Sequence, residues 1–402
     1  MLTRAGHLTY CTNIHAGENW DDHFNALRTC FPGVKQALSP VARMGIGLRL
    51  SNEASLELIK PERLNEFSKW LEENGAYTFT MNGFPYGGFH HTKVKDQVHA
   101  PDWTTRDRVD YTLRMFAILE QLLPENMDGG ISTSPLSYRY WHQSATALTA
   151  ARDQATGHIL QVVEQLARIR QHSGKLLHLD IEPEPDGLLE TGMEFIEWFE
   201  KDLLPAGIPE MMTAFGISGT QAEEMIKEHL RLCYDVCHFA IGYESHGDII
   251  SKLKARELKV GKIQISAALK AVMTGPPAAR AALRDAFSKY NEPVYLHQVV
   301  AKTGKGDLLR YPDLGEALAD YDNPLVCEWR AHFHVPIFEK EFGLLQSTSD
   351  DIREVLEIQQ SQGLTQHLEV ETYTWEVLSP TQKLPLQESI IRELEWVKRQ
   401  LR

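Results

Sequence analysis

The chain has little cysteine, little positive charge and no long apolar run, and each shortage closes off a class of function. Five cysteines in 402 residues, an odd number without compact spacing, make no disulfide framework, so free thiols in a reducing compartment are expected. Lys and Arg number 41 against 55 Asp and Glu, a formal charge of −14. Nucleic acid is therefore not an expected partner, because phosphate binding rests on cationic side chains. No run of 18 apolar residues occurs, and the Met1–His7 stretch lacks a hydrophobic signal core. No membrane segment is expected, and the simplest location is cytoplasmic. Phosphate-binding loops are missing too: there is neither a Gly-Lys-Ser/Thr nor a GxGxxG pattern. No internal repeat, low-complexity tract or linker divides the sequence.

What is present is alternation. A 43% hydrophobic content suits an ample core, and strand-like and helix-like segments succeed one another nearly end to end, the sign of an α/β fold with a parallel sheet. Strands are predicted at 8–14, 45–51, 77–83, 130–134, 176–182, 232–238, 261–266 and 367–372, the eight that close a (β/α)8 TIM barrel. Predicted helices lie between them. One spans Pro61 to Glu73 and stops at Asn74-Gly75; one opens at Thr104 or Thr105; a long one runs from Thr146 to Gln171. Thr220 to Glu223 has the form of a capping box. Further helices follow Thr348, ending at Gly363, and run from Gln387 to Leu401.

Four of the strands stop on metal-type ligands: Leu177 to Pro183 with Glu182, Cys233 to His238 with Asp235, Lys262 to Ser266 with Gln264, and His367 to Thr372 with Glu371. In a parallel barrel their C-terminal ends share one face, so three acids and an amide converge. That donor set suits a divalent cation such as Mn, Mg, Co or Zn. A lone acid at a strand end is as often a helix cap, but four in consecutive strands are harder to explain that way. Gln264 between Ile263 and Ile265 is an odd inward choice for a core. His238 completes an Asp-x-x-His pair with Asp235. Cys233 and Cys237 flank Asp235 two residues either way, so strand alternation would put all three on one face; buried structural thiols are favoured over thiolate ligands. His332 and His334 also share a face, suited to substrate hydroxyls or a second metal. His15 and His90-His91 carry weaker signals. Asn82, in the loop Met81 to Gly88, is placed to contact a small polar ligand.

These motifs resemble those of the xylose isomerase-like TIM barrels, in particular the hydroxypyruvate isomerase and ketose epimerase branch: Ile181-Glu182-Pro183, Tyr234-Asp235-x-x-His238 and Ile263-Gln264-Ile265, with Glu371 matching the final glutamate. The resemblance covers the whole chain apart from an insertion at about 270–340. More closely, Gly6 to His15, Asn82 to Gly87 and Glu371 to Trp375 are similar to the EboE family, named for metabolite traffic in gene clusters linked to secondary-metabolite precursors. The resemblance implies a metal held by Glu182, Asp235, Gln264 and Glu371. It also implies Glu182 and Glu371 as the acid and base moving a proton next to a carbonyl.

Three functions remain open. The first is a sugar isomerase or epimerase acting on a small polyhydroxylated molecule, with His238, His332, His334 and Asn82 as substrate contacts. The second is a non-catalytic carrier role. The third is a multi-zinc hydrolase, since Glu182, Asp235, His238, His332, His334 and Glu371 resemble the cluster of the endonuclease IV branch. The insertion, read as a hairpin around Thr303 to Asp307, is expected to be a lid or wall on the barrel's C-terminal face within one 1–402 domain. A homo-oligomer is compatible with the sequence.

Overall fold

The computed structural model describes residues 1–88, 94–373 and 385–401. His90-His91 and Thr374-Trp375 lie outside the described residues.

Nine strands form one sheet, ordered Leu2–Thr3, Gly6–Tyr10, His367–Val370, Val260–Ile265, Leu230–Asp235, Leu177–Ile181, Gly129–Thr133, Ala76–Asn82 and Met44–Arg49. Leu2–Thr3 is a short antiparallel edge; the other eight run parallel and are α/β-barrel strands. Most are buried along their whole length, as expected of strands covered by side chains inside and helices outside.

The barrel closes between its first two strands without a regular ladder, through one parallel bridge, Cys11 to Gly47. Side chains supply the missing bonds. Thr9 Oγ1 donates to Gly45 O at 2.8 Å and accepts from Gly47 N at 3.1 Å. Thr12 Oγ1 accepts from Arg49 N at 2.8 Å. Gly47 must be glycine: a Cβ there would lie 1.7 Å from Glu369 Oε1 and 2.8 Å from the Tyr10 carbonyl.

Helix ends follow local chemistry. Pro61–Glu73 stops at Asn74-Gly75, with Gly75 at φ +59°, and Ala145–Ser173 ends at Gly174 in the left-handed region. Thr105 caps Arg106–Leu122 by accepting from Arg108 N. The expected capping box is real but lies two residues earlier: Ser218 caps Gly219–His229 and exchanges bonds with Gln221. Ser218 sets the box because the reciprocal partner at the third helical position is Gln221, not Glu223.

Two strands stop well before their expected ends. The first ends at Tyr10, and Thr12–Ile14 turns into a 3₁₀ segment closed by His15 N on Thr12 O at 3.0 Å. The sixth ends at Asp235, whose carboxylate accepts from His238 N at 3.1 Å and caps the helix Val236–Ile241. Cys237 therefore sits on a helical turn, and strand alternation does not relate it to Asp235.

After the seventh barrel strand the chain builds a second, antiparallel sheet larger than a hairpin. Its order is Leu308–Tyr311, Val299–Thr303, Val326–Ala331, Leu269–Val272, Leu345–Ser347 and Glu341–Phe342. The expected hairpin across Thr303 to Asp307 is its outer edge. Trp329, Phe333, Phe342 and Leu345 of this insertion join the same contiguous hydrophobic cluster as the barrel residues. That fixes the second sheet against the barrel's C-terminal end.

Candidate metal centre and active site

The strand ends bring Glu182, Asp235, Gln264 and Glu371 together in a buried cluster. One carboxylate oxygen from each acid lies within 4.8 Å of the others. At their centre is the Gln264 amide. Its Nε2 donates to Glu182 Oε1 at 3.1 Å and Asp235 Oδ2 at 3.2 Å, and also to Glu371 Oε2. Its Oε1 accepts from the Cys233 thiol at 3.0 Å.

Two of the acids are also held from behind. Glu371 Oε1 accepts from Asn13 Nδ2 at 2.7 Å and Asn82 Nδ2 at 2.8 Å. Asp235 Oδ1 accepts from Ser266 Oγ at 2.7 Å. Every one of these partners is neutral, so three acids meet without a full positive charge hydrogen-bonded to them. Burial, and then the neighbouring carboxylates, push Glu182 and Glu371 well above the usual carboxylate range. Burial would raise Asp235 as well, but the nearby His238 and His334 rings and the bonds from Ser266 and the His238 amide outweigh it and hold Asp235 low. Burial likewise pushes the Cys233 thiol well up, so it is a donor in this network rather than a thiolate.

A divalent cation fits this donor set. The NH2 end of Gln264 occupies the point on which the three carboxylates converge, which is where a cation would be favoured. Rotating the amide would turn its oxygen toward the same point. Glu182, Asp235, Gln264 and Glu371 are the residues that would hold such an ion.

Three histidines form the adjoining wall. His238 follows Asp235 on its short helix, while His332 and His334 leave the inserted strand Val326–Ala331 and both reach the pocket. His238 Nδ1 lies 3.0 Å from Pro183 O, and His332 Nδ1 lies 2.8 Å from Gln298 Oε1. Gln298 is oriented by donating its NH2 to Pro185 O at 3.0 Å. Carbonyl oxygens only accept, so each Nδ1 donates and each ring turns its Nε2 inward. Those two Nε2 atoms face each other at 3.1 Å. His334 Nδ1 donates to the Glu371 carbonyl at 3.0 Å. Burial, then the neighbouring histidines, push His332 well below its ordinary value; burial lowers His334 to about 4.

The pocket between these walls has a free volume of about 60 Å³ and is lined further by Asn82, Phe84, His99, Tyr295 and Tyr373. Sequence reasoning missed Asn13, Glu184, Ser266 and Tyr373. Asn13 lies within the Thr12 to His15 stretch and Glu184 repeats the Glu-Pro step after Glu182, so both carried a signal. Glu184 Oε1 is 2.8 Å from His99 Nε2, and Glu184, His238 and His332 offer ligand atoms within 4.8 Å of one another. His15 instead contacts Tyr10 OH at 3.2 Å and is not a lining residue of the pocket.

No family model matches the chain, and no curated protein matches it. Solved structures do. A putative sugar phosphate isomerase/epimerase from Anabaena variabilis is 11% identical, with 98% of each chain covered and a TM-score of 0.50. A xylose isomerase-like TIM barrel protein from Mycobacterium smegmatis, in complex with magnesium, is 10% identical over 96% of this chain and 90% of that one, at a TM-score of 0.47. A D-allulose 3-epimerase from Methylomonas sp., in complex with D-allulose, is 10% identical over 98% and 96%, at 0.45. The chain shares its α/β-barrel fold with the Anabaena variabilis protein.

Proposed function

We propose that the protein is a divalent-metal-dependent isomerase or epimerase that moves a proton next to a carbonyl on a small polyhydroxylated molecule. The observation that carries this is the convergence of Glu182, Asp235 and Glu371 on the Gln264 amide. A divalent ion bound there polarises the carbonyl and hydroxyl oxygens of the substrate. Glu182 and Glu371 follow strands three places apart in the sheet order, so they can approach a C–H from different sides. One removes the proton and the other returns it, each contributing about 10²–10⁴-fold as a positioned acid or base. Asn13 and Asn82 hold one oxygen of Glu371, leaving the other for the reaction centre. Asn82, His238, His332 and His334 line the wall where hydroxyl groups would bind. The inserted sheet, carrying two of these histidines, encloses the substrate within what we take to be one functional unit.

The closer resemblance to the EboE family supports a place in metabolite traffic, and a cytoplasmic location accords with five free cysteines. A carrier would keep its biological role when Glu182 and Glu371 are replaced, whereas an isomerase would lose it.

One observation favours a second reading. The facing His238 and His332 nitrogens call for a proton or a cation between them. Two nitrogens bound at about 2.1 Å to one tetrahedral ion are separated by a similar distance. With Glu184 as a third donor, this would make the site binuclear and hydrolytic. Elemental analysis of metal-exchanged wild type, Glu182→Gln and Glu371→Gln decides. One ion per chain, lost in both variants, together with metal-dependent exchange of a ketose α-proton, supports the isomerase. Further zinc that survives in those variants and is lost in His332→Ala supports the hydrolase. No ion in any sample defeats both.

A further inference from the structure

At the other end of the barrel, the strands begin with a second set of ligand-type side chains. Asp128 immediately precedes the strand Gly129–Thr133, His178 is the second residue of Leu177–Ile181, and His367 opens His367–Val370. Four residues separate His178 from Glu182 along the strand, about 13 Å at the rise of a β-strand, so this group is apart from the pocket above.

Its geometry has the features of a ligand site. His178 Nδ1 lies 2.6 Å from Asp180 Oδ1; a carboxylate accepts, so Nδ1 donates and Nε2 is the nitrogen that could ligate an ion. That Nε2 is wholly buried and has no hydrogen-bond partner. It points at Asp128, whose Oδ2 is 3.5 Å away. A lone pair directed at a carboxylate is repulsive unless a cation stands between them. His367 Nε2 is hydrogen-bonded to the other carboxylate oxygen at 3.2 Å, a bond that an ion between them would replace, and the two imidazole rings are 5.1 Å apart. One ligand atom each from Asp128, His178 and His367 lies within 4.8 Å of the others. Arg231 Nη1 donates to Asp128 Oδ2 at 3.0 Å from the outer side. The barrel keeps room for the pair behind: a Cβ on Gly130 would come within 2.3 Å of the His178 ring and 2.7 Å of Asp180 Oδ2.

We propose that Asp128, His178 and His367 bind a transition-metal dication of the zinc type at the N-terminal mouth of the barrel. Asp180 is the positioning residue: it fixes the His178 tautomer and ring, as carboxylates behind metal-bound imidazoles do. Imidazole nitrogens with one carboxylate select zinc or its neighbours over magnesium or calcium. The ion links the starts of strands on different sides of the mouth, His367 standing three places from Leu177–Ile181 in the sheet order, and so acts as a structural pin.

The test uses the full chain carrying Glu182→Gln and Glu371→Gln, which disables the upper acids. The chain is stripped with a chelator, reloaded with zinc, dialysed and analysed for metal. The zinc count should fall by one equivalent per chain when Asp128→Ala is added, and zinc should raise the melting temperature less in that variant. Asp128 is partly exposed, with 24% of its side chain accessible, and Asp128→Asn keeps its shape, so this second variant serves if the alanine does not fold. An unchanged zinc count in a folded Asp128 variant overturns the proposal. That outcome would mean that His178 is instead an imidazolium bridging Asp128 and Asp180. Proton exchange by the protein with its upper acids intact is expected to be unaffected by Asp128→Asn, so the proposal and the isomerase reading fail separately.

Discussion

Two layers of the barrel interior carry buried charge, and they are balanced in opposite ways. In the lower layer Lys262 and Glu369, both fully buried, pair at 2.6 Å. The lysine is further satisfied by Ser132 Oγ at 3.1 Å and Met81 O at 3.2 Å. Burial would strip its proton, but Glu369 outweighs that and holds it charged. In the upper layer Glu182, Asp235 and Glu371 share an amide, and their other hydrogen-bond donors are a hydroxyl, a thiol, two asparagine amides and a backbone N–H. The charges of the lower pair are balanced within the chain. The upper acids have no cation of the chain hydrogen-bonded to them, so they hold protons or take a ligand, and this difference separates scaffold from candidate site.

Breaking the lower pair should have the largest effect on stability. Lys262→Met leaves Glu369 buried and unmatched, at a cost of about 3–5 kcal/mol, read by chemical denaturation of metal-free protein. The matching change above has the opposite sign. Glu371→Gln removes one of three crowded acids, so metal-free Glu371→Gln is expected to be more stable than metal-free wild type at pH 8. An equal loss of stability in both variants would erase the distinction between the layers.

Next comes metal affinity. Asn13→Ala or Asn82→Ala leaves all the ligands in place but removes a donor to Glu371 Oε1, and each should weaken binding about 10–100-fold in a titration with a competing chelator. The affinity should also rise with pH. Glu182 and Glu371 are held well above the usual range by burial and by neighbouring carboxylates, so an ion must displace their protons. For the metal-free fold the sign is the reverse. A carboxyl whose folded pKa is raised favours folding while both states are protonated, and that advantage is lost as pH climbs above 4.5, its ordinary value.

How much of this was legible beforehand depends on what signals each part. The barrel was, because eight apolar runs between capped helices fix its strand count and order; observed strands begin within two residues of their expected starts and stop early where Thr12 and Asp235 turn the chain. The convergence of the four strand-end side chains was legible for the same reason, since position in a parallel barrel implies it. Asn13 was not, because its role depends on a 3₁₀ turn beyond the strand. The six-stranded insertion was read only as a hairpin, because its remaining strands pair across long sequence separations, such as Leu269–Val272 with Val326–Ala331. The facing of His238 and His332 depends on which atom each Nδ1 meets, and residue spacing does not encode that.

The smallest expected effect comes from an acid that belongs to neither layer. Glu244 accepts from Gly192 N at 3.1 and 3.2 Å, and burial, outweighing that bond, raises its carboxyl from 4.5 to about 7. Its contribution is favourable when it is protonated in both states and declines as pH rises from 4.5 through about 7. Glu244→Gln keeps the acceptor for Gly192 N and removes the titration. The variant should match wild type at pH 4.5 and exceed it by about 1 kcal/mol at pH 8, the full shift being reduced by nearby solvent. Because Glu244 stands outside the metal cluster, the same difference should persist with zinc present. If zinc abolished it, the pH response would belong to the crowded upper acids rather than to burial of a single carboxyl.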